Sequence, residues 1–317
     1  MSNVIDYKSF HERKYAKQYK GLLQRIMQQG KSFESIHGQL AENKHLSDNG
    51  SIDISGHILT YDLKNGFPLE TIRNIRGGLK GSIAEVCAFL NGVSTLEGLR
   101  SFGVPDPFWQ PSLTAEKCAI FGLPAGDMGA GSYGKILREM PGPNGSFFDQ
   151  VKALETMAKQ RPYSRTLSLS TWYPPYAVGD DSQGFPRKVV VAPCHGNFIK
   201  FKLYTGTREM HMVMVPRSSD TPVGLIYNIP QWCAVGMMLA YLIGYTFTKY
   251  VIMVTDPQIY NIQIPYVKEL LKREPRKLPT VLLEPKGERK HLWDFRPEDF
   301  ILKDYDPHPA MKIPTPT

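Results

Sequence analysis

The sequence predicts an α+β fold, a single domain with a large mixed β-sheet flanked by helices. Three observations predict it. Helix-like and strand-like segments are interspersed without strict strand–helix–strand alternation. The runs "FIKFKLY" and "EMHMVMV" flank Thr205-Gly206 as the two arms of a hairpin. The segment "IPQWCAVGMMLAYLIGY" is apolar on nearly all faces, as a central buried helix must be.

The elements follow in order. "YAKQYKGLLQRIMQQG" places apolar residues at helical spacing and ends on glycine. "SIDISGHILTYDL" alternates as one strand, and "KNGFP" then turns the chain. "LKGSIAEVCAFLNG" reads as a buried helix closed by Asn91-Gly92. Residues 101–147 are rich in Gly and Pro, and a long irregular stretch in a compact domain is often functional. "FFDQVKALETMAKQRP" is an amphipathic helix that stops near Pro162. Strands and turns fill Leu167 to Val215. Pro230 is placed in the first turn of the central helix, where its missing N–H costs nothing. "YVIMVTDPQIY" reads as another buried strand, "IPYVKELLKREP" as a helix and "LPTVLLEP" as a strand.

Bulk properties narrow the function. The 317 residues, 42% of them hydrophobic, suffice for one large domain or two small ones. No run of about 18 apolar residues appears, so no membrane span is expected. The N-terminus lacks the apolar core of a signal peptide, and the expected location is the cytoplasm, that of a host cell if the chain is viral. Cys87, Cys118, Cys194 and Cys233 form no CxxC pair, so neither a disulfide framework nor a metal site is expected. The net charge of +8 fits solvated faces with mild steering of an anionic small substrate. No Arg-rich tract or zinc-finger spacing points to nucleic acid.

Two stretches carry candidate chemistry. In "VVVAPCHGNFIKFKLY", Cys194 is either a small buried hydrophobe or a nucleophile held at a rigid break after Pro193. His195 is a weak candidate base, because adjacent residues on a strand point to opposite faces. In "RSSDTPVGLIYN", Arg217, Ser218 and Asp220 combine a phosphate-grade cation, a hydroxyl and a carboxylate within four residues. Asn228 either caps a helix or reads a base edge with its amide.

In this order "APCH", "RSSD…VG…YNI" and "DPQIY" resemble the thymidylate synthase and deoxypyrimidine-nucleotide hydroxymethylase family. "GDMGAGSYGKILR", "LSTWYPP", "LKREPRKLP" and "WDFRPEDFILKDYDPHPAMK" agree with it. The resemblance covers a catalytic domain of residues 18–317 and leaves 1–17 as an N-terminal extension. It implies a homodimer formed through the sheet, with 5,10-methylenetetrahydrofolate as co-substrate. Cys194 would add to C6 of a pyrimidine nucleotide. Tyr133 and Glu85 would manage protons through water, with His195 in support. Asn228 would read uracil, since family members that take cytosine carry Asp there. Arg217 and Ser218 would hold the phosphate with Arg165 from the partner subunit, and Tyr260 would bond the sugar. Trp109, Asp220, Gly224 and Tyr227 would line the folate side.

Several positions depart from the family pattern. Thr166 stands where a second arginine is usual, and Gln258 where a histidine is usual at the sugar. The loop "ENKHLSDNGS" has no arginine, so Lys44 or His45 would have to substitute. The tail reads "KIPTPT" where the family has a small apolar end that docks on that loop arginine. A less tightly sealed site would let water, rather than hydride, meet the exocyclic methylene. The expected reaction is therefore dUMP to 5-hydroxymethyl-dUMP, with thymidylate synthesis as the alternative. An inactive nucleotide- or RNA-binding homologue is the reading of another class. The +8 charge motivates it, and the joint presence of Cys194, Glu85, Tyr133 and Asn228 opposes it.

Overall fold

A computed structural model describes residues 4–33 and 50–315 of the chain. The strands are β1 (Lys31–Phe33), β2 (Ser51–Asp53), β3 (His57–Asp62), β4 (Met140–Pro141), β5 (Phe147–Phe148), β6 (Ser168–Leu169) and β7 (Phe198–Tyr204). They continue with β8 (Glu209–Val215), β9 (Ser219–Asp220), β10 (Thr246–Val254), β11 (Pro257–Tyr260), β12 (Thr280–Leu283) and β13 (Phe300–Lys303). The longer helices, with one short helix at the site, are α1 (Gln18–Gln29), α2 (Arg76–Leu90), α3 (Tyr133–Arg138), α4 (Gln150–Gln160), α5 (Ile226–Ile243) and α6 (Ile264–Leu271).

The mixed α+β architecture is present, but the strands divide between two principal sheets instead of forming one. A five-stranded sheet runs β3-β10-β8-β7-β6, and a four-stranded sheet runs β1-β2-β11-β9. Each contains one parallel pair, β10 with β8 and β11 with β9. Two segments expected as single strands cross from one sheet to the other. The chain breaks between β2 and β3 near Gly56, whose φ of 78° is a left-handed conformation that suits glycine. It breaks again at Thr255-Asp256, between β10 and β11.

The β7–β8 hairpin has the expected arms, closed by Thr205 to Arg208. Its alternation buries Ile199, Phe201 and Leu203 against Met210, Met212 and Met214. The segment Val189–Val191, expected as strand-like, has no strand geometry; bends and loop carry the chain to β7.

Helix α5 is the core element, buried from Ile226 through Ala240 apart from Tyr227. It starts earlier than its sequence suggests, preceded by a π-helical turn over Thr221–Leu225. Pro230 therefore lies inside the helix instead of in its first turn, and Ile226 loses the N–H that would bond its carbonyl. Gly236 lets the helix approach β10 closely, since a β-carbon there would stand 2.3 Å from the Phe247 ring. The stretch Thr221–Ile243 is long and apolar enough to cross a membrane, yet most of it is buried inside the protein. It is accounted for by the core.

Residues 4–17 pack on the same body. Val4 and Ile5 are buried, and Arg13 donates to the Leu278 carbonyl at 2.9 Å and to Thr280 at 2.7 Å. The irregular 101–147 stretch holds short helices at Asp106–Trp109 and Ala115–Ala119 and then α3, which together position Trp109 and Tyr133.

Candidate active site

Cys194 sits at a break in the chain whose backbone is tied down on every side. Asn197 donates to the Pro193 carbonyl at 2.8 Å, Thr171 to the His195 carbonyl at 3.0 Å, and the Arg217 N–H to the Cys194 carbonyl at 2.9 Å. Gly196 follows with a φ of 63°, and its missing side chain leaves room for the Trp232 ring. The thiol is thus half-buried at a fixed point, which explains why Pro, Cys, His and Gly stand together here.

Tyr133, the first residue of α3, reaches Cys194 twice. Its hydroxyl accepts from the Cys194 N–H at 2.8 Å and lies 3.5 Å from the sulfur. Burial pushes the thiol above its ordinary pKa, while the Tyr133 hydroxyl and the Arg217 charge pull it back. Burial also pushes the Tyr133 hydroxyl well up, and the nearby thiol adds to that. The Tyr133 ring stacks between Phe89, at 4.7 Å, and His195, at 4.5 Å.

His195 is accounted for by packing. Its Nδ1 accepts from the Trp232 indole at 2.9 Å, which leaves the ring proton on Nε2. Desolvation lowers its pKa to about 3, so it is neutral across the working range. It is a support for Tyr133 and carries no charge that could assist the thiol.

Glu85 projects from α2 into the same site. Trp109 Nε1 and Gln231 Nε2 each donate to one of its carboxylate oxygens. Desolvation raises its pKa to about 7, against the pull of those two bonds. Asn228 on α5 donates to Gln231 Oε1 at 3.2 Å, so Trp109, Glu85, Gln231 and Asn228 form one hydrogen-bonded chain. Asn228 stands within α5, three positions into it, so the capping alternative does not apply.

Across the site, burial raises Asp220 to about 6. Both its oxygens accept from Gln263 Nε2, at 3.1 and 3.0 Å, and one accepts from the Val223 N–H at 3.2 Å. The same Gln263 amide donates to the Pro314 carbonyl at 3.0 Å, and Arg73 donates to the Met311 carbonyl at 3.3 Å. A β-carbon on Gly224 would stand 3.7 Å from Asp220 and 3.8 Å from Asn228 Oδ1. Tyr227 packs on Phe108 at 5.7 Å and covers Gly78. On β11, Gln258 donates to the Tyr260 hydroxyl at 2.9 Å. Tyr260 lies within electrostatic range of both Asp220 and Cys194, and burial is the main cause of its raised pKa.

Arg217 is exposed and lies over the Trp172 ring at 5.3 Å, with the Ser218 N–H 3.4 Å from the Cys194 carbonyl. Arg165 is not joined to this cluster in the single chain; it is exposed, and its carbonyl accepts from Lys200. Lys44 and His45 lie outside the described residues. Among the described residues no group of three or more His, Cys, Asp or Glu is placed to hold a metal ion. A cavity of about 460 Å³ beside the Leu96–Ser101 helix, lined by Thr95, Arg100 and Asp127 among others, includes none of these site residues.

Sequence reasoning missed Gln231, Trp232, Gln263 and Arg73. Gln231 alone left a readable trace, as a lone glutamine in an apolar helix three residues after Asn228, a spacing that puts both on one face.

The thymidylate synthase family model matches residues 17–316. That match spans nearly the whole described chain and takes in every element that builds the Cys194 cluster. The chain belongs to the thymidylate synthase family.

Proposed function

We propose that the chain transfers a one-carbon unit to C5 of a uracil nucleotide, most simply dUMP, and yields the 5-hydroxymethyl product. The family consists of one-carbon transferases that use methylenetetrahydrofolate on dUMP and are generally dimeric, and the coarse enzyme class follows from membership. The observation that carries the reading of the site is the convergence on Cys194. The sulfur lies 3.5 Å from the Tyr133 hydroxyl, beside a chain of hydrogen bonds that ends on Asn228.

In this reading Cys194 adds to C6 of the base, and the Arg217 charge favours the thiolate. The Tyr133 hydroxyl positions the sulfur and handles the C5 proton through water. Glu85, with its pKa raised to about 7, is tuned to exchange a proton near neutrality at the base oxygen. Asn228 reads O4 and N3–H. Arg217 and Ser218, with Arg165 from a second subunit, take the phosphate, while Gln258 and Tyr260 face the sugar.

The residues on the far side fit a folate. Asp220 offers a half-buried carboxylate to a ring N–H, Trp109 and Tyr227 offer aromatic surface, and Gly224 leaves open the space a side chain would fill. Bound there, the folate supplies the one-carbon unit and, for a methyl product, the hydride as well.

The strap over this side supports the hydroxymethyl product. From Met311 to Thr315 only Ile313 is buried, and two backbone carbonyls are held by Arg73 and Gln263. A strap pinned so lightly leaves water a route to the site. The buried Ile313 favours the second reading, thymidylate synthesis in a closed site. Tritium release from C5-labelled dUMP tests the shared first half of both reactions. Release that requires methylenetetrahydrofolate and disappears in Cys194→Ala is expected. Its absence with both UMP and dUMP would favour a binding protein without catalysis.

A further inference from the structure

Gln231 is wholly buried on α5, three residues after Asn228, and joins that amide to Glu85. The direction of the hydrogen bonds along this chain is set from one end. The Trp109 indole N–H can only donate, and an ionised Glu85 can only accept. While Glu85 is ionised, above about pH 7, Gln231 presents its NH2 to that carboxylate, which leaves the Gln231 carbonyl facing Asn228. Asn228 in turn must present its own NH2 to that carbonyl, at 3.2 Å. The Asn228 carbonyl is thereby turned away from Gln231. It lies on the Gly224 side, 3.8 Å from where a β-carbon on that glycine would stand.

This orientation matters because an asparagine amide has an acceptor and donors side by side and can be seated either way round. One seating meets the O4 and N3–H of uracil. The flipped seating meets the N3 and exocyclic amine of cytosine equally well. Asn228 by itself does not choose between them.

We propose that Gln231 makes the choice, by locking the Asn228 amide in the single seating that accepts uracil nucleotides and rejects cytosine nucleotides. The inference rests on the reading of Asn228 as the group that contacts the base. Gln231 touches neither the base nor a reacting atom, so it is a positioning residue. Its effect is confined to discrimination and to the Glu85 carboxylate it holds. The single glutamine thus couples the residue that reads the base to the residue that exchanges its proton.

The test is the ratio of dUMP to dCMP dissociation constants, measured by calorimetry on the full chain. Wild type is expected to prefer dUMP. Gln231→Met keeps the volume and removes both hydrogen bonds, and the preference is expected to fall by about tenfold or more, the size of one misplaced buried polar pair. Gln231→Glu still offers Asn228 an acceptor and is expected to keep the preference. Gln231→Leu removes the same bonds with a different shape and repeats the test, with a thermal melt confirming that each variant folds. An unchanged ratio in Gln231→Met, or an equal loss in Gln231→Glu, would overturn the proposal. Wild type that binds neither nucleotide would overturn the uracil reading itself, and this inference with it.

Discussion

The hydroxyl of Tyr133 holds Cys194 at two points, accepting from its N–H at 2.8 Å and lying 3.5 Å from its sulfur. One side chain thus fixes both the backbone and the sulfur of the proposed nucleophile. Tyr133→Phe retains the ring stacked between Phe89 and His195 and deletes only those contacts. Its expected effect is a loss of about 10²- to 10⁴-fold in C5 tritium release, with the melting temperature nearly unchanged. An unaltered rate would remove the hydroxyl from the chemistry.

Glu85 ties stability to pH. Its folded pKa is raised from the ordinary 4.5 to about 7 by burial. The folded state therefore binds the proton more tightly than the unfolded state. That contribution is fully present below about pH 4.5 and is lost as pH rises through about 7. Its size is on the order of 3 kcal/mol. Glu85→Gln has no proton to lose, so its stability relative to wild type should improve between pH 5 and pH 8 by that order. Parallel pH dependence of urea melts in the two proteins would contradict the assignment.

Gly196 predicts a steric cost two residues from Cys194. Its φ is 63°, and a β-carbon would stand 2.3 Å from the Trp232 ring. Gly196→Ala is expected to lose about 2 kcal/mol or more, from strain and overpacking together. Because Trp232 also holds His195, whose ring supports Tyr133, activity should fall further than stability alone explains. Urea denaturation and tritium release on the same preparation separate the two effects.

What was legible in the sequence was the chemistry-bearing set, and its convergence depended on long-range folding. Tyr133, Glu85 and Asn228 lie on three different helices and Cys194 on a loop, and only their ordered motifs suggested a common site. The β7–β8 hairpin was legible because its alternation is a local property. The crossings near Gly56 and at Thr255-Asp256 were not, since an apolar run has the same pattern whether one sheet or two receives it. The start of α5 was misjudged because Pro230 is a strong local signal, overridden here by the tertiary packing of the helix. Gln263 was invisible for a related reason. Its meaning comes from Asp220 and Pro314, which lie 43 and 51 residues away.

Gln263 yields a prediction of its own. Its single amide nitrogen serves both Asp220 and the strap carbonyl at Pro314. Gln263→Leu removes both bonds and is expected to loosen the strap. Limited trypsin digestion should then cut after the exposed Lys312 several-fold faster than in wild type. Equal cleavage rates would mean that Arg73 and the buried Ile313 hold the strap without Gln263.

The proposed reaction is Cys194-dependent transfer of a one-carbon unit to a uracil nucleotide that ends in water attack. The mass of the nucleotide after incubation with dUMP and methylenetetrahydrofolate tests it most directly. The expected result is a gain of CH2O, abolished in Cys194→Ala. A gain of CH2 with dihydrofolate formed would contradict the hydroxymethyl product, and an unchanged mass would contradict the transfer itself.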